Sequence, residues 1–138
     1  MAPRVSGLNS GTLRVAPSVC HDCVWWQSRG NRVASKERWV EHVEQEWGDW
    51  GTVYLDDDGR LLGSMQYGPA GLFPRAGDLP AGPPSDDAVL VTCVYLTRAG
   101  REWVEKSLLL AAIGEARDSG ARALEAFAYR YPEDATGE

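Results

Sequence analysis

Lysine is nearly absent from this chain. Only Lys36 and Lys106 occur, and no basic run exceeds two residues. With a net charge of −6, that scarcity excludes a general nucleic-acid binder, because phosphate contacts need clustered Lys and Arg. No apolar stretch approaches the roughly 20 residues that span a bilayer, so no membrane partner is expected. Met1 to Gly11 carry Gly, Ser and Pro rather than the apolar core of a secretory signal. Cysteine is limited to Cys20, Cys23 and Cys93. An odd number argues against a disulfide scaffold and suits a reducing compartment. These absences together give the expectation of a cytoplasmic chain.

What is present is ordinary in amount and informative in order. At 138 residues, 43% hydrophobic and 25% charged, the chain can bury one core without disulfides. Residues 1–11 read as a flexible lead, 12–130 as the domain and 131–138 as a polar tail. Thr12 to Ala16 alternates briefly and reads as a first strand. Ser35 caps a helix from Lys36 to about Trp47, with Trp39, Val40, Val43 and Trp47 on one face. Gly51–Leu55 and Arg60–Tyr67, joined through Asp58-Gly59, form a hairpin. A Pro/Gly-rich loop over 68–87 follows, holding five of the eight prolines. Ala88–Leu96 is an unbroken apolar run, the pattern of a strand covered on both faces. A helix from Arg101 to about Asp118 ends near Gly120, and Ala121–Arg130 returns as a strand. The last three elements form a βαβ unit, whose strand-to-helix turn is a common place for an anionic ligand.

Several segments in this order carry a family likeness: Cys20-His-Asp-Cys-Val-Trp-Trp26, Glu46-Trp-Gly48, Tyr67-Gly-Pro-Ala70, Phe73-Pro-Arg75 and Ser85-Asp-Asp-Ala-Val-Leu90. Over about residues 12–130 the chain resembles the GCN5-related N-acetyltransferases (GNAT). Within them it is similar to a bacterial GNAT-like group with an N-terminal Cys-x-x-Cys-x-x-Trp segment. The resemblance implies an α/β (α+β) fold, a mixed twisted sheet with helices on both faces. It also implies acetyl-CoA as co-substrate in a V-shaped cleft beside the fourth strand, and a small-molecule or protein amine as acceptor. The family normally continues past the fifth strand with a helix and two more strands. This chain ends at Glu138 in a polar tail, so a missing end, or a homodimer completing the sheet, is expected.

The same resemblance places the site. Val94, Tyr95 and Leu96 would bind the pantetheine by backbone. The pyrophosphate turn, Arg/Gln-x-x-Gly-x-Gly/Ala in the family, aligns with Arg101-Glu102-Trp103-Val104-Glu105-Lys106. Arg101 matches, whereas Val104 and Lys106 stand at the small-residue positions and Glu102 and Glu105 add negative charge. The turn therefore reads as degenerate, since glycines let backbone N–H groups approach a phosphate closely. Asp86, Asp87 and Glu125 are the carboxylates best placed to act as a base for an amine. Cys20 and Cys23 have the spacing of half a zinc site, with His21, His42 and Cys93 as conceivable further ligands. The reading preferred for them is a pair of buried thiols beside Trp25 and Trp26. Cys93 reads as core, as do Trp39 and Trp47, while Trp25, Trp26, Trp50 and Trp103 could line a cleft. Three functions stand open: an acetyl-CoA-dependent N-acyltransferase, a binding module on the same fold without CoA, and a zinc-stabilised regulatory module.

Overall fold

A computed structural model describes residues 5–97 and 101–127. Its centre is a five-stranded sheet in simple sequence order: β1 (Val5–Gly7), β2 (Gly51–Leu55), β3 (Leu61–Pro69), β4 (Ala88–Leu96) and β5 (Ala123–Ala126). The first four strands are antiparallel neighbours, and β5 lies parallel to β4. The first strand is thus not Thr12–Ala16. Leu13–Val15 is a 3-10 turn, and the edge position goes to Val5–Gly7, inside the segment expected to be a lead-in. Val5 and Gly7 pair with Tyr54 and Thr52, so backbone hydrogen bonding overrode the weak local pattern.

Helices cover both faces. A single short turn, α1 (Ser18–His21), precedes α2 (Lys36–Glu46). The Ser35 hydroxyl accepts from the Arg38 amide at 3.3 Å, capping α2 as its sequence implies. Trp39, Val40 and Val43 then face one side of the sheet and pack with Trp50, Val53, Leu90 and Phe73. Trp39 meets Trp50 edge-on at 5.5 Å and donates its indole N–H to the Leu72 carbonyl at 2.8 Å.

On the opposite face lies α3 (Arg101–Asp118). Its residues Val104, Leu108, Ala112 and Ala116, spaced by four, are buried against Tyr54, Met65, Tyr67, Val89 and Val91. Small residues at 112 and 116 let the helix approach the sheet. The closest approach is at Gly63, where an added Cβ would stand 2.8 Å from Val104 Cγ1. Gly120, at φ +83°, turns the chain out of α3 toward β5. The Pro/Gly-rich loop is ordered by two 3-10 turns, Ala70–Leu72 and Pro74–Asp78, which bury Ala70, Phe73 and Ala76. The last strand, expected over 121–130, spans Ala123–Ala126. Residues 128–138, including the rest of that segment and the tail, lie outside the described residues, as do Arg98, Ala99 and Gly100.

Candidate functional site

The sheet opens between β4 and β5. Their pairing runs from Ala88–Ala123 to Val91–Ala126 and stops. Strand β4 continues for five more residues, Thr92 to Leu96, still bonded to β3 on its other edge. On the side where β5 would be, that length has no strand partner among the described residues. Backbone N–H and C=O groups of an unpaired edge are available to a ligand.

A bulge marks the same place. Gln66 pairs with Cys93 and Tyr67 with Val91, leaving Thr92 as the extra residue. The bulge breaks strict alternation. The Gln66 amide nitrogen lies 2.8 Å from Thr92 Oγ1 and 3.7 Å from Cys93 Sγ, so both side chains project to the α2 side. Cys93 was expected in the core; the bulge instead turns it toward a cavity.

That cavity, about 170 Å³, is lined by Cys93 and Tyr95 from β4, Ser64 and Gln66 from β3, and Gln27, Lys36, Trp50, Cys20 and Cys23 around them. Its polar groups are linked. Gln27 is buried and its Nε2 points at Gln66 Oε1 from 3.5 Å. The Lys36 ammonium donates to the Cys23 carbonyl at 3.1 Å and lies over the Trp50 ring at 5.0 Å. Burial pushes the pKa of Lys36 down, while Cys20 and Cys93 are pushed up by burial. The thiols are therefore held in the neutral form. A second cavity of about 630 Å³ adjoins the bulge, walled by Trp25, Trp26, Leu79, Pro80, Thr92 and Phe127. Trp26 borders both cavities and stacks on Phe127 at 6.0 Å. Arg75 sits over Trp25, 4.4 Å from its centroid, and donates to the Trp25 carbonyl at 2.5 Å.

The residues expected to carry chemistry are only partly brought together. Val94 and Tyr95 line the smaller cavity, as do Cys20 and Cys23, which are half-buried and exposed rather than the buried pair expected. Val94 and Leu96 lie on the open length of β4. Val104 does not face a cleft: it is fully buried in the core beneath α3, with Gly63 making room for it. Glu105 and Lys106 are exposed. The side chains of Arg101 and Glu102 lie outside the described residues. Trp103 packs edge-on against Tyr54 at 5.1 Å, near the hairpin turn. Trp50 is core as well as cavity wall, 1% exposed. The three carboxylates gather at the far end of β4. Asp86 is exposed, Asp87 stands 3.6 Å from Arg122, and Glu125 accepts from the amide and hydroxyl of Ser85 at 2.9 and 2.8 Å. Those donors hold the Glu125 pKa below its ordinary value. None of the three lines either cavity beside the bulge.

Among the described residues no group of three or more His, Cys, Asp and Glu side chains is placed to hold a metal ion. His21 contributes its ring to the Ala16 carbonyl at 2.9 Å instead. Sequence reasoning missed Gln27, Lys36, Gln66 and Thr92. Gln66 left a faint signal, an amide in an otherwise apolar strand. No helix among the described residues is long and apolar enough to cross a membrane.

No protein-family model matches the chain, and no curated protein matches it in sequence. Solved structures do match in shape. The chain is similar to AAC(6')-Iy in complex with a bisubstrate analogue, with TM-score 0.58, 14% identity and coverage of 96% of this chain and 84% of that one. It is similar to a ribosomal-protein-alanine N-acetyltransferase from Brucella melitensis biovar Abortus 2308, with TM-score 0.53, 18% identity and coverage of 96% and 85%. A mutant of the BH1408 protein from Bacillus halodurans gives TM-score 0.54 at 13% identity, covering 96% and 87%. The mixed five-stranded sheet with helices on both faces is the GNAT-like α/β fold that the resemblance implies, shared in shape with these structures.

Proposed function

We propose that this chain is an acyl-CoA-dependent N-acyltransferase, moving an acetyl group from acetyl-CoA to an amine by direct transfer. The observation that carries the reading is the parting of β4 from β5 after Val91–Ala126, with the bulge at Thr92 opening onto two cavities. The edge of Thr92–Leu96, without a strand partner among the described residues, fits an amide-bearing pantetheine arm, which can add hydrogen bonds as a strand would. The known neighbours in shape include AAC(6')-Iy with a CoA-containing bisubstrate analogue, which supports the same co-substrate here. When bound, acetyl-CoA supplies the activated acyl group.

The chain's own residues then position and polarise. Backbone N–H groups on the open edge of β4 can donate to an acyl carbonyl oxygen, where charge develops during transfer. The amine would approach from the α2 side through the cavities. Since Asp86, Asp87 and Glu125 lie elsewhere, its proton is expected to leave through water rather than to a carboxylate beside the bulge.

Calorimetric titration with acetyl-CoA, followed by an assay of amine-dependent CoA release, tests the reading. Micromolar binding and release upon adding an amine are expected; absence of binding overturns it. Arg101→Ala is expected to weaken acetyl-CoA binding by about 1–3 kcal/mol, the range of a charge-assisted hydrogen bond. A second reading, a binding module that takes no CoA, is favoured by Val104, which is locked in the core at a position where the family carries a small residue. Under that reading, Glu102→Gly with Lys106→Gly should create or strengthen CoA binding. Val104 is left untouched in that variant because truncating it would cut into the core.

A further inference from the structure

The smaller cavity carries one charged side chain among its lining residues, and that side chain is a cation. Lys36, at the start of α2, directs its ammonium among Trp50, the Cys23 carbonyl and the cavity. Among the described residues no carboxylate lies within ion-pair distance of that ammonium. Burial pushes the Cys20 and Cys93 thiols up, away from the thiolate form that could pair with it. Glu44, bonded to the Trp50 indole at 2.9 Å, also accepts from the Ser10 amide at 2.7 Å and the Ser10 hydroxyl at 3.1 Å, so its oxygens are engaged elsewhere. An ammonium desolvated without a counter-charge is costly. One that keeps donors free toward a cavity is suited to bind an anion.

Resting on the acyltransferase reading above, we infer that the acceptor is a small amine that also bears a carboxylate, and that Lys36 binds this acid group. The cavity of about 170 Å³ holds a fragment no larger than a single ring or a short amino-acid skeleton. Gln27, Gln66 and Ser64 add neutral hydrogen-bonding groups next to the ammonium. The amine then points toward the bulge at Thr92 and Cys93. A polycationic acceptor is disfavoured, because no cavity residue offers it a negative charge and Lys36 repels it.

The test pairs each amino acid with an amine that lacks its carboxylate. L-leucine, L-phenylalanine and 4-aminobutyrate are compared with leucinamide, phenylalaninamide and butylamine, and with neamine as a polycation. Two readouts are taken on the full chain: direct binding by calorimetry without acetyl-CoA, and acetyl-CoA-dependent CoA release. At least one amino acid is expected to bind about tenfold or more tighter than the matching amine without a carboxylate. Lys36→Gln is expected to erase that preference and Lys36→Arg to keep most of it. Lys36→Met, which retains the apolar stem, guards against a fold defect in the glutamine variant. Preference for neamine or for the analogues without a carboxylate overturns the inference, as does an acid preference that survives Lys36→Gln, or failure of every acid to bind. Lys36-dependent acid binding without CoA release would uphold the anion subsite and overturn acyl transfer. CoA release driven by neamine would do the reverse.

Discussion

Tyr67 shows how one residue couples packing to pH. It is 1% exposed, sits edge-on to Trp47 at 6.2 Å and shares a 2.5 Å hydrogen bond with Thr52 Oγ1. Burial pushes its pKa up to about 12, against an ordinary 10.0. Between those values the unfolded chain has lost this proton and the native chain has kept it. Stability from this group is therefore complete below about pH 10 and falls as pH rises toward 12, by on the order of 2–3 kcal/mol. Urea unfolding from pH 8 to 11.5 should show the decline, and Tyr67→Phe should flatten it. The same substitution leaves the buried Thr52 hydroxyl without its partner and is expected to cost about 1–2 kcal/mol at pH 7. Cys93 is a lesson of the same scale: a residue that reads as core meets Lys36, from the start of α2, at one cavity. A bulge that the apolar run from Ala88 to Leu96 does not announce is the reason.

At the scale of elements, the contact of α3 with the sheet depends on Gly63. An alanine there would place its Cβ 2.8 Å from Val104 Cγ1 and 3.0 Å from the Tyr95 carbonyl oxygen. Gly63→Ala is expected to destabilise by about 1–3 kcal/mol. Adding Val104→Ala should recover part of the loss, a non-additivity that a double-mutant cycle of chemical denaturation measures. The long loop is pinned to β5 by Ser85 and Glu125. The lowered pKa of Glu125 means the carboxylate form makes that tether. The tether is complete above the unfolded value of 4.5 and weakens as pH falls below it. Glu125→Gln is expected to speed amide exchange over residues 79–86, with little change elsewhere. Both strands of the hairpin, α2, β4 and α3 were legible in sequence, because each has a cap, a turn or an apolar period of its own. The edge strand Val5–Gly7 was not, since three residues carry no period and their place is fixed by pairing with β2.

For the whole molecule, the helix layers and the sheet form two cores on either side of β2–β4. The site lies where the sheet stops being continuous. A ligand that bridges β4 at that parting should stabilise the native state by mass action. Acetyl-CoA at a hundred times its dissociation constant is expected to add about 2.7 kcal/mol, seen as a raised midpoint in thermal unfolding. Absence of any shift at millimolar acetyl-CoA would speak for the binding-module reading.

The sequence by itself determined the fold class and the order of β2 to β5 with their helices. Those properties follow from local periods, caps and composition, which a linear chain displays. Only the tertiary structure decided which side chains share a cavity. Lys36, Gln27, Gln66, Thr92 and Cys93 are far apart in the chain. Their meeting depends on strand register, a single bulge and the end of pairing at Val91–Ala126. Each of these is set by cooperative packing between elements and by no residue alone.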